Sequence, residues 1–152
     1  MSAGTSSGGY HPSRVRRGAD RMMAWMLRRG RGPGFIWLLT VTGRVTGQPR
    51  TTPVVPVRRD GKVWAVSPFG TVAWVRNVRT GGRLELDRGD DRTTYDAVEL
   101  DASEAVPVLR TYLSMPSERF VRHDLDVTAD STDGAIAAEA GRHPVFALTP
   151  AS

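Results

Sequence analysis

The sequence predicts an α+β, mainly β fold: a small, partly closed barrel of about six short strands with an N-terminal helix, a short crossing helix and one longer helix. Three observations predict it. Short apolar, β-branched runs recur between Gly, Pro and Asp turn signals. The Asp60-Gly61 pair joins two of these runs as a tight hairpin. The strand–helix–strand alternation that builds a parallel sheet is absent, as is any GxGxxG or Walker-type phosphate loop. Closure into a barrel removes the edges that such short hydrophobic strands would otherwise expose.

The elements follow in order. Met1 to Pro12 is Ser/Gly-rich with no apolar periodicity, so residues 1–13 are expected as a disordered tail and 14–150 as a single domain. A chain of 152 residues with 39% hydrophobic content has room for one core. From Arg14 to Arg29, Val15, Ala19, Met22, Met23 and Met26 recur at helical spacing while Arg14, Arg17, Arg21 and Arg28 fall opposite, which predicts an amphipathic basic helix. Gly30, Gly32, Pro33 and Gly34 end it.

Phe35–Thr42, Thr51–Arg58 and Lys62–Ser67 read most simply as three antiparallel strands. After Ser67-Pro68-Phe69-Gly70, the stretch Ala73–Thr80 carries Trp74 and Val78 at helical spacing and is closed by Gly81-Gly82. Leu84–Asp87 and Thr93–Leu100 are two further strands joined across Gly89. Asp101-Ala102-Ser103-Glu104 has the chemistry of a capped helix start, followed by an apolar stripe of Ala105, Val108, Leu109, Tyr112 and Leu113; that helix should end near Pro116. A short helix around Gly134–Ala140 and a last strand, Pro144–Leu148, complete the chain.

Composition removes several classes of function. Without cysteine there is no disulfide framework, thiolate metal site or cysteine nucleophile, and a reducing cytoplasm is a comfortable setting. No apolar run approaches the roughly 20 residues that span a bilayer. His11, His123 and His143 have no metal-ligand spacing. Asp124, Asp126, Asp130 and Asp133 lack the glycine and the closing glutamate of a calcium loop, so they read as a solvated acidic segment. No serine sits in a G-x-S-x-G elbow.

The net charge of +5 favours anionic partners, and Lys62 is the only lysine, so nearly every cation is a planar arginine fork. The basic N-terminal helix either covers one end of the barrel with its methionines or rests on anionic lipid at the inner face of the membrane.

The most informative stretch is Leu39-Thr40-Val41-Thr42-Gly43-Arg44-Val45-Thr46-Gly47-Gln48-Pro49-Arg50-Thr51-Thr52-Pro53, between two hydrophobic runs. Gly43 and Gly47 let the backbone turn sharply and expose its N–H groups, Thr46 offers a hydroxyl, and Arg44 and Arg50 offer guanidinium forks. These are the parts of a phosphate or carboxylate cradle. They are also compatible with a plain hairpin loop whose arginines are solvated.

The pattern TGR-x-TGQPR-TTP, followed by SPFG and then AWVRNVR-x-GG, resembles the deazaflavin-dependent nitroreductase family of actinobacteria, over roughly Arg28 to Leu148 and including Arg142-His143-Pro144-Val145-Phe146. The resemblance implies a flavin-binding type of split β-barrel and the 8-hydroxy-5-deazaflavin coenzyme F-420, whose phosphodiester and glutamate tail are anionic, ahead of FMN. Carried over by position, it puts Thr42, Arg44, Thr46, Gln48 and Arg50 along the phosphate and tail, with Ser67, Trp74, Asn77 and Arg79 beside the rest of the coenzyme.

Two positions depart from the pattern. Val45 stands where the best-known branch commonly carries lysine, and Met115-Pro116-Ser117-Glu118-Arg119-Phe120 contains none of that branch's tyrosines. Nitroimidazole reduction is therefore not carried over, and Phe120 is the one candidate for a pocket wall. Trp74 either stacks on the coenzyme ring or anchors its helix in the core. Of Arg76 and Arg79, motif position favours Arg79.

The reading is an oxidoreductase that passes a hydride from the reduced coenzyme to an electron-poor small molecule such as a quinone, an enone or a nitro compound. No residue stands out as the general acid. The alternative is a split-barrel protein that carries a flavin-like or apolar ligand without turnover. A single-stranded nucleic acid binder ranks last, since it needs aromatics along exposed strands and these strands are aliphatic.

Overall fold

A computed structural model describes residues 34–89, 91–119 and 124–152. The expected tail, the basic N-terminal helix, Phe120, His11 and His123 lie outside the described residues. The strands are β1 (Trp37–Thr42), β2 (Pro49–Val54), β3 (Val57–Arg59), β4 (Lys62–Val66), β5 (Arg83–Asp87), β6 (Arg92–Glu99) and β7 (Val145–Pro150). The helices among the described residues are α1 (Ala73–Gly81), α2 (Ala102–Ser114) and α3 (Asp133–Ala140), with a 3-10 turn over Pro116–Arg119.

The strands form one sheet in the order β2-β1-β5-β6-β7-β4-β3, and each neighbouring pair is antiparallel. Chain connectivity forces this sheet to curl. Laid flat, β2 and β3 would be six strand spacings apart, on the order of 29 Å. Yet only Val55 and Pro56 separate them in sequence, a reach of at most about 11 Å from Val54 to Val57. The two edges must come together, and the guanidinium of Arg58 on β3 lies 4.2 Å over the ring of Trp37 on β1. The result is a half-closed, split β-barrel.

This closure corrects the strand expected over Thr51–Arg58, which is two strands at opposite edges of the sheet, so the described residues hold seven strands where about six were expected. Proline has no N–H to give a ladder. Pro56 therefore stands in the break, and Pro53 is accommodated because β2 is an edge strand. The expected meander of three strands survives only as its two hairpins, β1–β2 and β3–β4.

Strand alternation sorts the side chains into two layers. On one face Trp37, Leu39, Val41, Leu86 and Phe146 pack with Trp74, Val75 and Val78 of α1. On the other Val57, Val66 and Val145 pack with Leu109, Tyr112 and Leu113 of α2 and Ile136 of α3. α1 thus plugs one side of the curled sheet while α2 and α3 cover the other.

Local signals behave as the sequence leads one to expect. Asp60 and Gly61 both adopt positive φ, 52° and 76°, as a tight hairpin turn requires. Gly82 ends α1 at φ 73° and donates its N–H to Val78 at 2.7 Å. At the start of α2 the Asp101 carboxylate accepts from Glu104 N–H at 2.8 Å while the Glu104 carboxylate accepts from Asp101 N–H at 3.3 Å. The bond from the Glu104 backbone N–H, with others from Ser103, holds the Asp101 carboxyl below its ordinary range.

Candidate functional site

The Gly43–Gln48 loop joins β1 to β2 beyond their last pair, Thr42 with Pro49. It is closed by its own backbone. Gly43 N–H donates to Gln48 C=O at 2.8 Å, Gly47 N–H to Gly43 C=O at 2.9 Å, and Gln48 N–H to the Thr46 hydroxyl at 3.2 Å. Gly47 turns the chain at φ 70°. A Cβ on Gly43 would lie 3.1 Å from both the Gln48 carbonyl and the Thr46 hydroxyl, so only glycine fits the throat of this loop without displacement.

The loop brings five of the expected residues together. Thr42, Arg44, Thr46, Gln48 and Arg50 are all exposed around it, and Val45 at its tip is 85% exposed. The Arg50 side chain has no hydrogen-bond or ion-pair partner among the described residues. Arg44 is tied to α1: its backbone N–H and its Nη1 both donate to Oδ1 of Asn77, at 3.0 and 2.9 Å.

Of the other expected residues, Asn77 meets the loop through Arg44, and Arg79, Trp74 and Ser67 are engaged elsewhere. Asn77 and Arg79 are about 160° apart around α1, so they leave the helix on opposite flanks. Arg79 faces β6, where its Nε and Nη2 grip the Glu99 carboxylate at 2.7 and 2.8 Å. Trp74 is an interior residue with its ring 5.9 Å from that of Phe146. Ser67 is fully buried; its hydroxyl donates to Gly70 C=O, and its own carbonyl accepts from Nδ1 of the buried His143 at 3.2 Å. Arg76, ranked behind Arg79 from the motif, is exposed and has no side-chain partner among the described residues. Nothing in the sequence singles it out; what distinguishes it is that Glu99 occupies the fork of its neighbour.

The Arg79–Glu99 pair carries a pH signature. The hydrogen bonds to Arg79 hold the Glu99 carboxyl below its ordinary value of 4.5, and the same bonds raise the Arg79 guanidinium. A carboxyl lowered by folding stabilises the protein fully above its ordinary value and loses that contribution as pH falls through the lowered one. Both side chains are well exposed, so solvent screening keeps the effect below about 1 kcal/mol. Urea unfolding at pH 6 and at pH 3 should therefore show a smaller acid loss of stability in Glu99→Gln than in the unchanged protein. An identical acid loss in both would mean that the pair contributes nothing.

An open groove of about 770 Å³ lies between α2 and α3, lined by Arg59, Val106, Pro107, Arg110, Asp133 and Ala137. It lies over the α2–α3 layer, away from the loop. The fork of Arg110 is engaged there by Ser131 C=O at 2.9 Å and by Asp133 at 2.6 Å. Among the described residues no group of three His, Asp or Glu side chains could hold a metal ion, and no helix is long and apolar enough to cross a membrane.

Comparison with known proteins adds the family. Residues 19–133 match the family model described as F-420-H(2)-dependent quinone reductase. Among solved structures, the chain is similar to an F-420-H2 dependent reductase, with 22% identity, a TM-score of 0.53 and coverage of 76% of this chain and 95% of that one. It is similar also to a structure described as a domain-swapped dimer, at 22% identity and a TM-score of 0.57, covering 89% of this chain and 96% of that one. A protein of unknown function from Agrobacterium tumefaciens matches at 16% identity and a TM-score of 0.54, covering 94% of this chain and 60% of that one. At these identities the structural likenesses establish the split-barrel fold.

Proposed function

The chain belongs to the F-420-H(2)-dependent quinone reductase family and is therefore an oxidoreductase for which coenzyme F-420 is the expected partner; from that premise we propose that its acceptor is a quinone and that the Gly43–Arg50 loop cradles the anionic tail of the coenzyme. The observation that carries this reading is the loop itself: a turn closed by its own hydrogen bonds, with Arg44 and Arg50 both exposed and the fork of Arg50 without a partner among the described residues.

The residues present fit such a tail. Two guanidinium groups match phosphate and carboxylate geometry through paired N–H donors, and Thr42, Thr46 and Gln48 add neutral donors at the rim. Arg76, on α1, is exposed with no side-chain partner among the described residues. When bound, the reduced deazaflavin supplies the hydride. The protein anchors the tail at the loop and so fixes the position of the ring relative to the acceptor, which is how binding energy remote from the reacting atoms speeds transfer. A quinone that accepts the hydride also takes up one proton, from solvent or a nearby hydroxyl.

The test mixes the full chain with reduced F-420 and, in parallel, a naphthoquinone, an enone and a nitroaromatic, following return of the oxidised coenzyme's absorbance. The expected result is fastest oxidation with the quinone. Coenzyme binding without oxidation by any of the three would replace this reading with that of a carrier, and preference for the nitro compound would overturn the quinone assignment.

A further inference from the structure

We propose that Asn77 is a positioning residue: it holds the loop in its binding shape through Arg44 rather than by touching the coenzyme. The proposal rests on the reading of the loop as the coenzyme cradle. Asn77 is the only asparagine in the chain and is 4% exposed on the flank of α1. A buried amide oxygen needs a donor, and here the single Oδ1 takes two, one from the backbone of Arg44 and one from its guanidinium.

These two bonds are the only hydrogen bonds from the loop to another element among the described residues, the rest being internal to the loop. The loop's end is thereby fastened to a helix that is itself fixed in the core by Val75 and Val78. The backbone bond sets where the chain leaves β1. The guanidinium bond, made by Nη1 alone, sets the plane of the fork and leaves its Nε and Nη2 edge for an anion. That edge is the one by which Arg79 grips Glu99 in this same molecule. Without Asn77 the Arg44 side chain would have to be ordered by the coenzyme at the moment of binding, at the cost of its rotamer freedom.

The experiment compares Asn77→Ala and Asn77→Asp with the unchanged protein by two measurements. Hydrogen exchange of the Arg44 amide is read without coenzyme, and binding of oxidised F-420 is read by fluorescence titration at raised salt, where the added charge of the aspartate is screened. Thermal melts accompany both. Alanine should speed exchange of the Arg44 amide by at least roughly tenfold and weaken F-420 binding by about five- to twentyfold. Aspartate, which has the same shape and an acceptor oxygen in the same place, should restore amide protection and bring binding to within about threefold of the unchanged protein.

Three results would overturn the proposal. One is an Arg44 amide equally protected in Asn77→Ala. Another is Asn77→Asp regaining amide protection while binding no better than alanine, which would make the amide N–H of Asn77 a direct donor to the coenzyme. The third is faster exchange in Asn77→Ala with unchanged binding, while Arg50→Ala does weaken it. If neither Asn77→Ala nor Arg50→Ala alters binding, the cradle reading itself has failed, and the exchange rates still decide whether Asn77 orders the loop.

Discussion

Replacing Arg50 with alanine should weaken F-420 binding by roughly tenfold to a hundredfold, since hydrogen bonds to charged groups contribute on the order of 1.5–3 kcal/mol. The folded protein should tolerate the change. Arg50 is exposed, sits on an edge strand and has no partner among the described residues whose loss would leave a buried group unpaired. Its melting temperature should thus stay within about 2 °C, as surface substitutions usually stay within ±0.5 kcal/mol. Arg50→Lys should recover only part of the affinity, because an ammonium keeps the charge and loses the planar fork. Fluorescence titration at low and at high salt measures both effects. If Arg50→Ala binds as tightly as the unchanged protein at low salt, where such contacts are least screened, the tail lies somewhere else.

The largest effect on stability is expected at Trp74. Its ring is buried against Phe146 at an interplanar angle of 54°, in the layer where α1 meets the sheet. Truncation of a buried aromatic to alanine typically costs about 3–5 kcal/mol, through lost transfer energy and the cavity left behind. For a domain of this size that is a fall in melting temperature on the order of 10–20 °C. Trp74→Phe should keep much of that stability, because a ring still fills most of the space. The two roles open to Trp74 predict different outcomes. If alanine left the melting temperature almost unchanged and abolished F-420 binding, the side chain would be stacking on the coenzyme instead of anchoring the helix.

Much of this protein is legible along the chain because it is encoded within a few residues. The Asp60-Gly61 turn, the reciprocal cap of Asp101 and Glu104 and the Gly82 stop of α1 each depend on one residue's backbone freedom or on a side chain that reaches its own turn. The barrel class is legible too, since short β-branched runs without alternating helices leave few other ways to cover sheet edges. The loop is legible in kind: glycines, hydroxyls and arginines at fixed spacing are the chemistry of an anion cradle.

What the tertiary structure alone decided is which groups meet. The run Thr51–Arg58 reads as one strand because all its residues suit one. It breaks at Val55-Pro56 because the curled sheet needs those residues to join its two edges. Arg79 looks as available as Arg76 until a carboxylate 20 positions later takes its fork. Asn77 carries no local mark of its bond to Arg44, 33 positions earlier. Ser67 and Trp74 belong to a motif that suggests a surface, yet both are buried. Local propensity is written in neighbours along the chain, whereas a side chain's partner depends on which strands lie beside it after closure, and that order exists only in the folded sheet.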